Sequence, residues 1–321
     1  LSERSYEIIG APFDLGAPSR GSAAAPGYLR EKGLTKRIES LNRFGVDVVD
    51  GGDVDGPTEG DASTVPPNLR ELLSFGGSLI ERLGRSYAAG LTPVVIGGDH
   101  SISVASVTAA ARHLRTTVEP DAELGLVWVD AHPDLETPGA QPDCDLHGTP
   151  VAHLLGLGDP DLAGLGGFAP KLRPENVVQI CLRDIMSCEA EVIAEHEITA
   201  YTATDVERLG IGEICSRTFA HMDERTDGFV LSFDIDACDV AEAPGVVFRE
   251  RGGLTYREAM VVMEEASRAP KLVSLELVEV DPSRDEGGRT ADLAIWLIHR
   301  ALAGPPLERA RGRGGASGRA P

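Results

Sequence analysis

Apolar residues in this chain gather in short runs: Tyr6 to Ile9, Val46 to Val49, Val94 to Ile96, Leu124 to Val129, Val177 to Cys181, Phe229 to Phe233 and Leu272 to Val278. Runs of this length, rich in Val, Ile and Leu, predict strands buried on both faces, as in a parallel sheet. Between them the period changes. Leu69, Leu72, Leu73, Leu79, Ile80 and Leu83 recur at helical spacing after Pro66 and Pro67, which predict a helix start, and Tyr256 to Ser267 is a second helical pattern. Strand and helix in alternation imply right-handed crossovers and one doubly wound α/β domain, a three-layer αβα arrangement around a mainly parallel sheet. We expect that domain to span residues 1–303. Gly51 to Pro67 reads as a polar loop, and from Gly304 the chain turns to Gly, Pro, Ala and Arg, which predicts a flexible tail over 304–321. Such a tail reads as a solvated end or a contact with a neighbouring subunit.

Composition narrows the function. With 321 residues and 42% hydrophobic content the chain can bury a full core. Its 51 acidic and 30 basic side chains give a net charge of -21, which repels phosphate backbones and anionic headgroups. Neither nucleic acid nor a membrane is an expected partner. The five cysteines, Cys144, Cys181, Cys188, Cys215 and Cys238, are odd in number and form no CxxC pair, which argues against a disulfide framework and a zinc ribbon. No run approaches the roughly 18 apolar residues of a membrane span. The expectation is a protein of the reducing cytoplasm.

The strongest signal is where polar residues fall relative to the strands. Val94 to Ile96 runs into Gly97-Gly98-Asp99-His100, Leu126 to Val129 into Asp130-Ala131-His132-Pro133-Asp134, and Phe229 to Phe233 into Asp234-Ile235-Asp236. The carboxyl ends of strands in an open parallel sheet line the crevice where ligands bind. In extended chain the side chains at i, i+2 and i+4 share a side, which groups Asp130, His132 and Asp134, and also Asp234 and Asp236. Four carboxylates so close repel one another unless cations or protons are taken up. Two divalent ions would cancel their charge. Oxygen-rich ligation with two imidazoles suits Mn²⁺, with Fe²⁺, Co²⁺, Ni²⁺ or Zn²⁺ as alternatives.

These motifs, together with His147-Gly148 and Ser232-Phe233-Asp234-Ile235-Asp236-Ala237-Cys238-Asp239, resemble in order and spacing those of the arginase/agmatinase (ureohydrolase) family. Ile9-Gly10-Ala11-Pro12-Phe13, Arg208-Leu209-Gly210-Ile211-Gly212 and Gly252-Gly253-Leu254-Thr255-Tyr256-Arg257-Glu258 are similar to the family as well, so the likeness runs to about residue 302. It implies an arginase-like three-layer α/β fold, two Mn²⁺ per chain, trimers or hexamers, and hydrolysis of a guanidino group to urea and an amine. His100, Asp130, Asp134 and Asp234 would then hold one ion and Asp130, His132, Asp234 and Asp236 the other. The resemblance gives Asp134 a second role, passing a proton to the leaving nitrogen. It makes His147 a proton shuttle, which suits an imidazole near neutrality, and Glu279 the carboxylate that meets the guanidinium.

The far end of the substrate is where this sequence departs from the family. Asp143 and Asp145 stand where arginases place a serine and an asparagine on the substrate carboxylate. Met186 replaces an aspartate that meets the α-amino group, although Asp184 and Glu189 around it fit. Val246-Val247-Phe248-Arg249 replaces a Thr-Gly-Thr-Pro stretch. These changes imply a guanidino substrate other than free L-arginine, one with a cationic tail or a larger metabolite. The alternatives are a true arginase, a deacetylase-like amide hydrolase with one zinc, and a homologue that no longer catalyses.

Overall fold

The computed structural model describes residues 4–42, 45–57, 59–61, 63–64, 66–137 and 144–305. Its centre is a sheet of eight strands: β1 (Ser5–Ala11), β2 (Asp47–Asp53), β3 (Leu91–Gly97), β4 (Leu124–Val129), β5 (Val177–Leu182), β6 (Thr199–Thr202), β7 (Gly228–Asp234) and β8 (Leu272–Val278). Every pairing is parallel, in the order β2-β1-β3-β8-β7-β4-β5-β6. Strand pleat divides the side chains between two cores. Ile8, Val94, Ile96, Val127, Val129, Leu231 and Phe233 face the helices Leu34–Asn42, Ile211–Arg225, Tyr256–Arg268 and Arg289–Ala303. Ile9, Val95, Leu126, Trp128 and Val230 face Leu69–Ala88 and Ser103–Thr117. Central strands covered on both sides explain why their sequences are continuous apolar runs.

Differences from the sequence reading lie at edges. β6, Thr-Ala-Tyr-Thr, is short and only partly buried, so it carries no apolar run. β2 continues through Asp53 because an edge strand need bury only one side; the stretch expected as loop from Gly51 therefore starts three residues later. The first long helix begins at Leu69, after Asn68 in a left-handed conformation (φ 62°), rather than at the prolines. Gly304 and Pro305 follow the last helix, and residues 306–321 of the expected tail lie outside the described residues.

Candidate active site

Five neighbouring strands, β3, β8, β7, β4 and β5, end on one side of the sheet, and each delivers polar residues there. From β3 comes His100, from β8 Glu279, from β7 Asp234 and Asp236, from β4 Asp130, His132 and Asp134, and from β5 Asp184, followed by the apolar Met186. The turn after β3 is possible only with glycines. A Cβ on Gly98 would stand 1.7 Å from the Phe13 carbonyl oxygen, and one on Gly97 2.6 Å from Val278. Asp99 then caps the short turn His100–Ile102, accepting from Ser101 N at 3.0 Å and Gly16 N at 2.7 Å.

The six histidines and aspartates singled out by spacing come together. His100 Nδ1 lies 2.9 Å from Asp130 Oδ2, 3.1 Å from Asp234 Oδ2 and 3.4 Å from Asp134 Oδ2. His132 Nδ1 lies 3.3 Å from Asp130 Oδ1 and 3.1 Å from Asp236 Oδ2. Asp130 therefore turns one oxygen to each imidazole. Among the described residues two groups can each hold a metal ion, His100–Asp130–Asp234 and Asp130–His132–Asp236. Asp134 reaches His100 by a route the alternation argument missed. Its backbone is left-handed (φ 52°), so the chain bends instead of staying extended after Pro133.

The donor set fits a metal by a stricter test. His100 Nδ1 and Asp130 Oδ2 are fully buried and make no hydrogen bond, although they lie 2.9 Å apart. Buried polar atoms left so are costly, and lone pairs converging on one point suit a cation. Ser232 Oγ, 2.7 Å from His100 Nε2, can accept a proton from that nitrogen when Nδ1 is unprotonated, and Trp128 stacks on the ring with centroids 3.8 Å apart. Neither Ser232 nor Trp128 was singled out from sequence. Electrostatics agrees. Burial and neighbouring carboxylates push Asp134, Asp234 and Asp236 above the ordinary carboxylate range. Burial would also raise Asp130, but the imidazoles of His100 and His132 beside it hold it well below that range.

Glu279 also has a left-handed backbone (φ 64°), a strained position of the kind that gathers at functional sites. Its Oε1 accepts the His100 N–H at 2.8 Å and lies 3.1 Å from His147 Nδ1, while Oε2 is buried without a partner. Burial disfavours the charged imidazole of His147, but Glu279, helped by Asp134 and Asp99, outweighs it and raises its pKa to about 9.

His100, His132, Asp134, His147, Asp234, Asp236 and Glu279 line a cavity of about 260 Å³. Glu136, Asp145, Asp184 and Glu189 add further acids to its lining, and Met186, Cys144, Val246, Val247 and Phe248 supply apolar surface. Asp143 lies outside the described residues. Glu189 is buried and spoken for: its oxygens accept Leu135 N at 3.1 Å and Met186 N at 2.9 Å. Asp184 is exposed, 3.8 Å from His132 Nε2. Glu136 was missed, although its place two residues after Asp134 on the same loop could have drawn it in. Burial and the charge of Glu189 push it up to about 7.

Comparison with known proteins bears on this geometry. The model of the arginase family matches residues 4–304. Arginase from Bacillus caldovelox is 38% identical over 301 residues, 92% of this chain and 97% of that protein. Its native crystal structure superposes with a TM-score of 0.86, at 37% identity, covering 95% of this chain and 99% of the other. Proclavaminate amidino hydrolase from Streptomyces clavuligerus is similar at a TM-score of 0.73 and 25% identity, covering 94% and 91%.

Proposed function

From the premise that the chain belongs to the arginase family and is an amidinohydrolase, we propose that it hydrolyses a guanidino compound other than free L-arginine to urea and an amine, using two divalent ions. The observation that carries the reading is the convergence of both His/Asp groups with the partnerless Glu279 Oε2 on one cavity. His100, Asp130, Asp134 and Asp234 would hold one ion, and Asp130, His132, Asp234 and Asp236 the other, with Mn²⁺ the best match and Fe²⁺, Co²⁺, Ni²⁺ or Zn²⁺ alternatives. When bound, such a pair lowers the pKa of a shared water enough to give a strong nucleophile at neutral pH.

The chain's own residues do the rest. Glu279 Oε2 accepts guanidinium N–H groups and fixes the plane of that cation, a charge-assisted contact suited to its forked donors. Asp134 passes a proton to the departing nitrogen, so the broken carbon–nitrogen bond leaves as a neutral amine. His147, tethered through Nδ1 to Glu279, exchanges protons between cavity and solvent. Selectivity follows from the walls. Asp145 and Asp184 oppose a substrate carboxylate, and Met186 offers no charge to an α-ammonium. A domain over residues 1–303, a cytoplasmic location and a trimeric or hexameric assembly complete the proposal.

The relatives' name supports a second reading, hydrolysis of L-arginine itself. Urea release by Mn²⁺-loaded protein from L-arginine, agmatine, 4-guanidinobutyrate, 3-guanidinopropionate, guanidinobutyramide and free guanidine separates the two. The proposal expects the highest kcat/KM on a compound without an α-carboxylate. L-arginine as best substrate refutes the selectivity argument, and no urea from any of them refutes the proposal as a whole.

A further inference from the structure

One phenyl ring packs against two of the cavity's imidazoles. Phe248 lies face to face with His147, centroids 5.5 Å apart and planes 20° from parallel, and edge-on to His132 at 5.5 Å and 63°. Its loop is tied down on both sides. Gly245 N donates to Thr290 Oγ1 at 2.8 Å, and Arg249 pairs with Glu286 at 3.2 Å and donates to the Arg284 carbonyl at 3.2 Å. Val246, two residues earlier, is buried, yet Phe248 remains 39% exposed. A large apolar ring held partly in water by an anchored loop adds little to the core. What it touches are His132 and His147.

We infer that Phe248 is a positioning and specificity-determining residue, fixing the plane of His147 and setting the width of the passage beside the guanidino site. The inference rests on the proposed function. His147 is held at Nδ1 by Glu279, a contact that fixes that nitrogen but does not set the tilt of the ring plane. The phenyl face bears on that plane, and a displacement of about 1 Å in a proton carrier is enough to lower turnover strongly. Offset aromatic pairs at this separation favour a fixed relative orientation. The ring also lines the cavity that holds Glu279, so on the proposed function a substituent on a guanidino nitrogen bound there shares that space with it. A slim chain can lie along it; a second substituent on the guanidine meets it. Discrimination on steric grounds of this size is typically tenfold to a few hundredfold.

The test compares Mn²⁺-loaded wild type with Phe248→Ala, Phe248→Leu and Phe248→Tyr. Because the ring is partly exposed, all are expected to melt within a few degrees of wild type. On the best guanidino substrate, Phe248→Ala and Phe248→Leu are expected to lose about tenfold in kcat with a smaller change in KM, whereas Phe248→Tyr, which keeps the ring, stays within about threefold. The width of the passage is read by calorimetric binding of methylguanidine against N,N′-dimethylguanidine, which needs no turnover. Wild type should prefer the slimmer ligand, and Phe248→Ala should shrink that preference at least about tenfold. An unchanged preference together with kcat within twofold of wild type overturns the inference. Loss of the tyrosine rescue also overturns the positioning role. If wild type releases no urea at all, the parent proposal fails separately, and the binding ratio still decides the steric one.

Discussion

Ser232→Ala tests whether the support behind the cluster sets its affinity for metal. Ser232 is fully buried on β7, 2.7 Å from His100 Nε2. Removing its hydroxyl leaves that N–H without an acceptor in a dry site, a cost of about 1–3 kcal/mol. The ring remains stacked on Trp128, so its position is kept and only its tautomer is released. In metal-stripped protein the imidazole can move its proton to Nδ1, where Asp130 Oδ2 lies 2.9 Å away, and so escapes part of the cost. With an ion bound, Nδ1 must stay unprotonated and the whole cost applies. The penalty should therefore appear as weaker metal binding, roughly tenfold and within the range known for such supporting contacts. Titrating Mn²⁺ into stripped protein against a competing chelator measures it, alongside melting of the stripped forms. We expect stripped wild type and variant to melt within about 3 °C of each other, and excess Mn²⁺ to restore turnover. Equal dissociation constants would refute the reasoning. So would a stripped variant that loses as much stability as the loaded one, since Ser232 would then be a packing residue.

Three further outcomes are expected. Chelation should destabilise the protein more at pH 8 than at pH 5.5: Asp134, Asp234 and Asp236 have raised folded pKa values, so the stability they contribute is complete below the unfolded value and lost as pH rises through the folded one. Asp130 has the opposite sign, but its window lies below pH 4, and a melting gap between loaded and stripped protein that is independent of pH would contradict the account. Met186→Asp returns an acid to the cavity wall and should raise kcat/KM for L-arginine about tenfold or more; it also places a favourable N-cap before the helix Ser187–Glu195, so the fold should not suffer, and an unchanged steady-state value argues against the selectivity reading. Gly98→Ala, whose Cβ would meet the Phe13 carbonyl at 1.7 Å, should cost about 3 kcal/mol or more, seen as a large fall in the denaturant midpoint; a near-wild-type midpoint would mean the loop yields easily.

Much of this architecture was legible because central strands and metal ligands leave local marks. A strand buried on both faces is an apolar run, and a ligand set at strand ends follows such runs directly. β4 and β8 were readable to the residue for that reason. β6 was not, because an edge strand without apolar residues has no local signature. In the site, His100 and Asp130 could be named from their motifs, but the Ser232 hydroxyl behind His100 depends on a contact across 132 positions. The left-handed turn at Asp134 and the pairing of Phe248 with two imidazoles are likewise tertiary facts. Spacing identifies which groups meet. It does not give the bend that brings them in or the ring that packs against them.

The sheet order has a consequence for biosynthesis. β8, the last strand made, is hydrogen-bonded between β3 and β7, and so joins β2-β1-β3 to β7-β4-β5-β6. Until it inserts, His100 at the tip of one half-sheet has no fixed relation to the aspartates at the tips of the other. Before β8 inserts, the group Asp130–His132–Asp236 already lies on the directly paired strands β4 and β7, and only the group that includes His100 is divided. The two groups of the proposed centre therefore form at different stages of folding, the one with His100 only once β8 lies between β3 and β7.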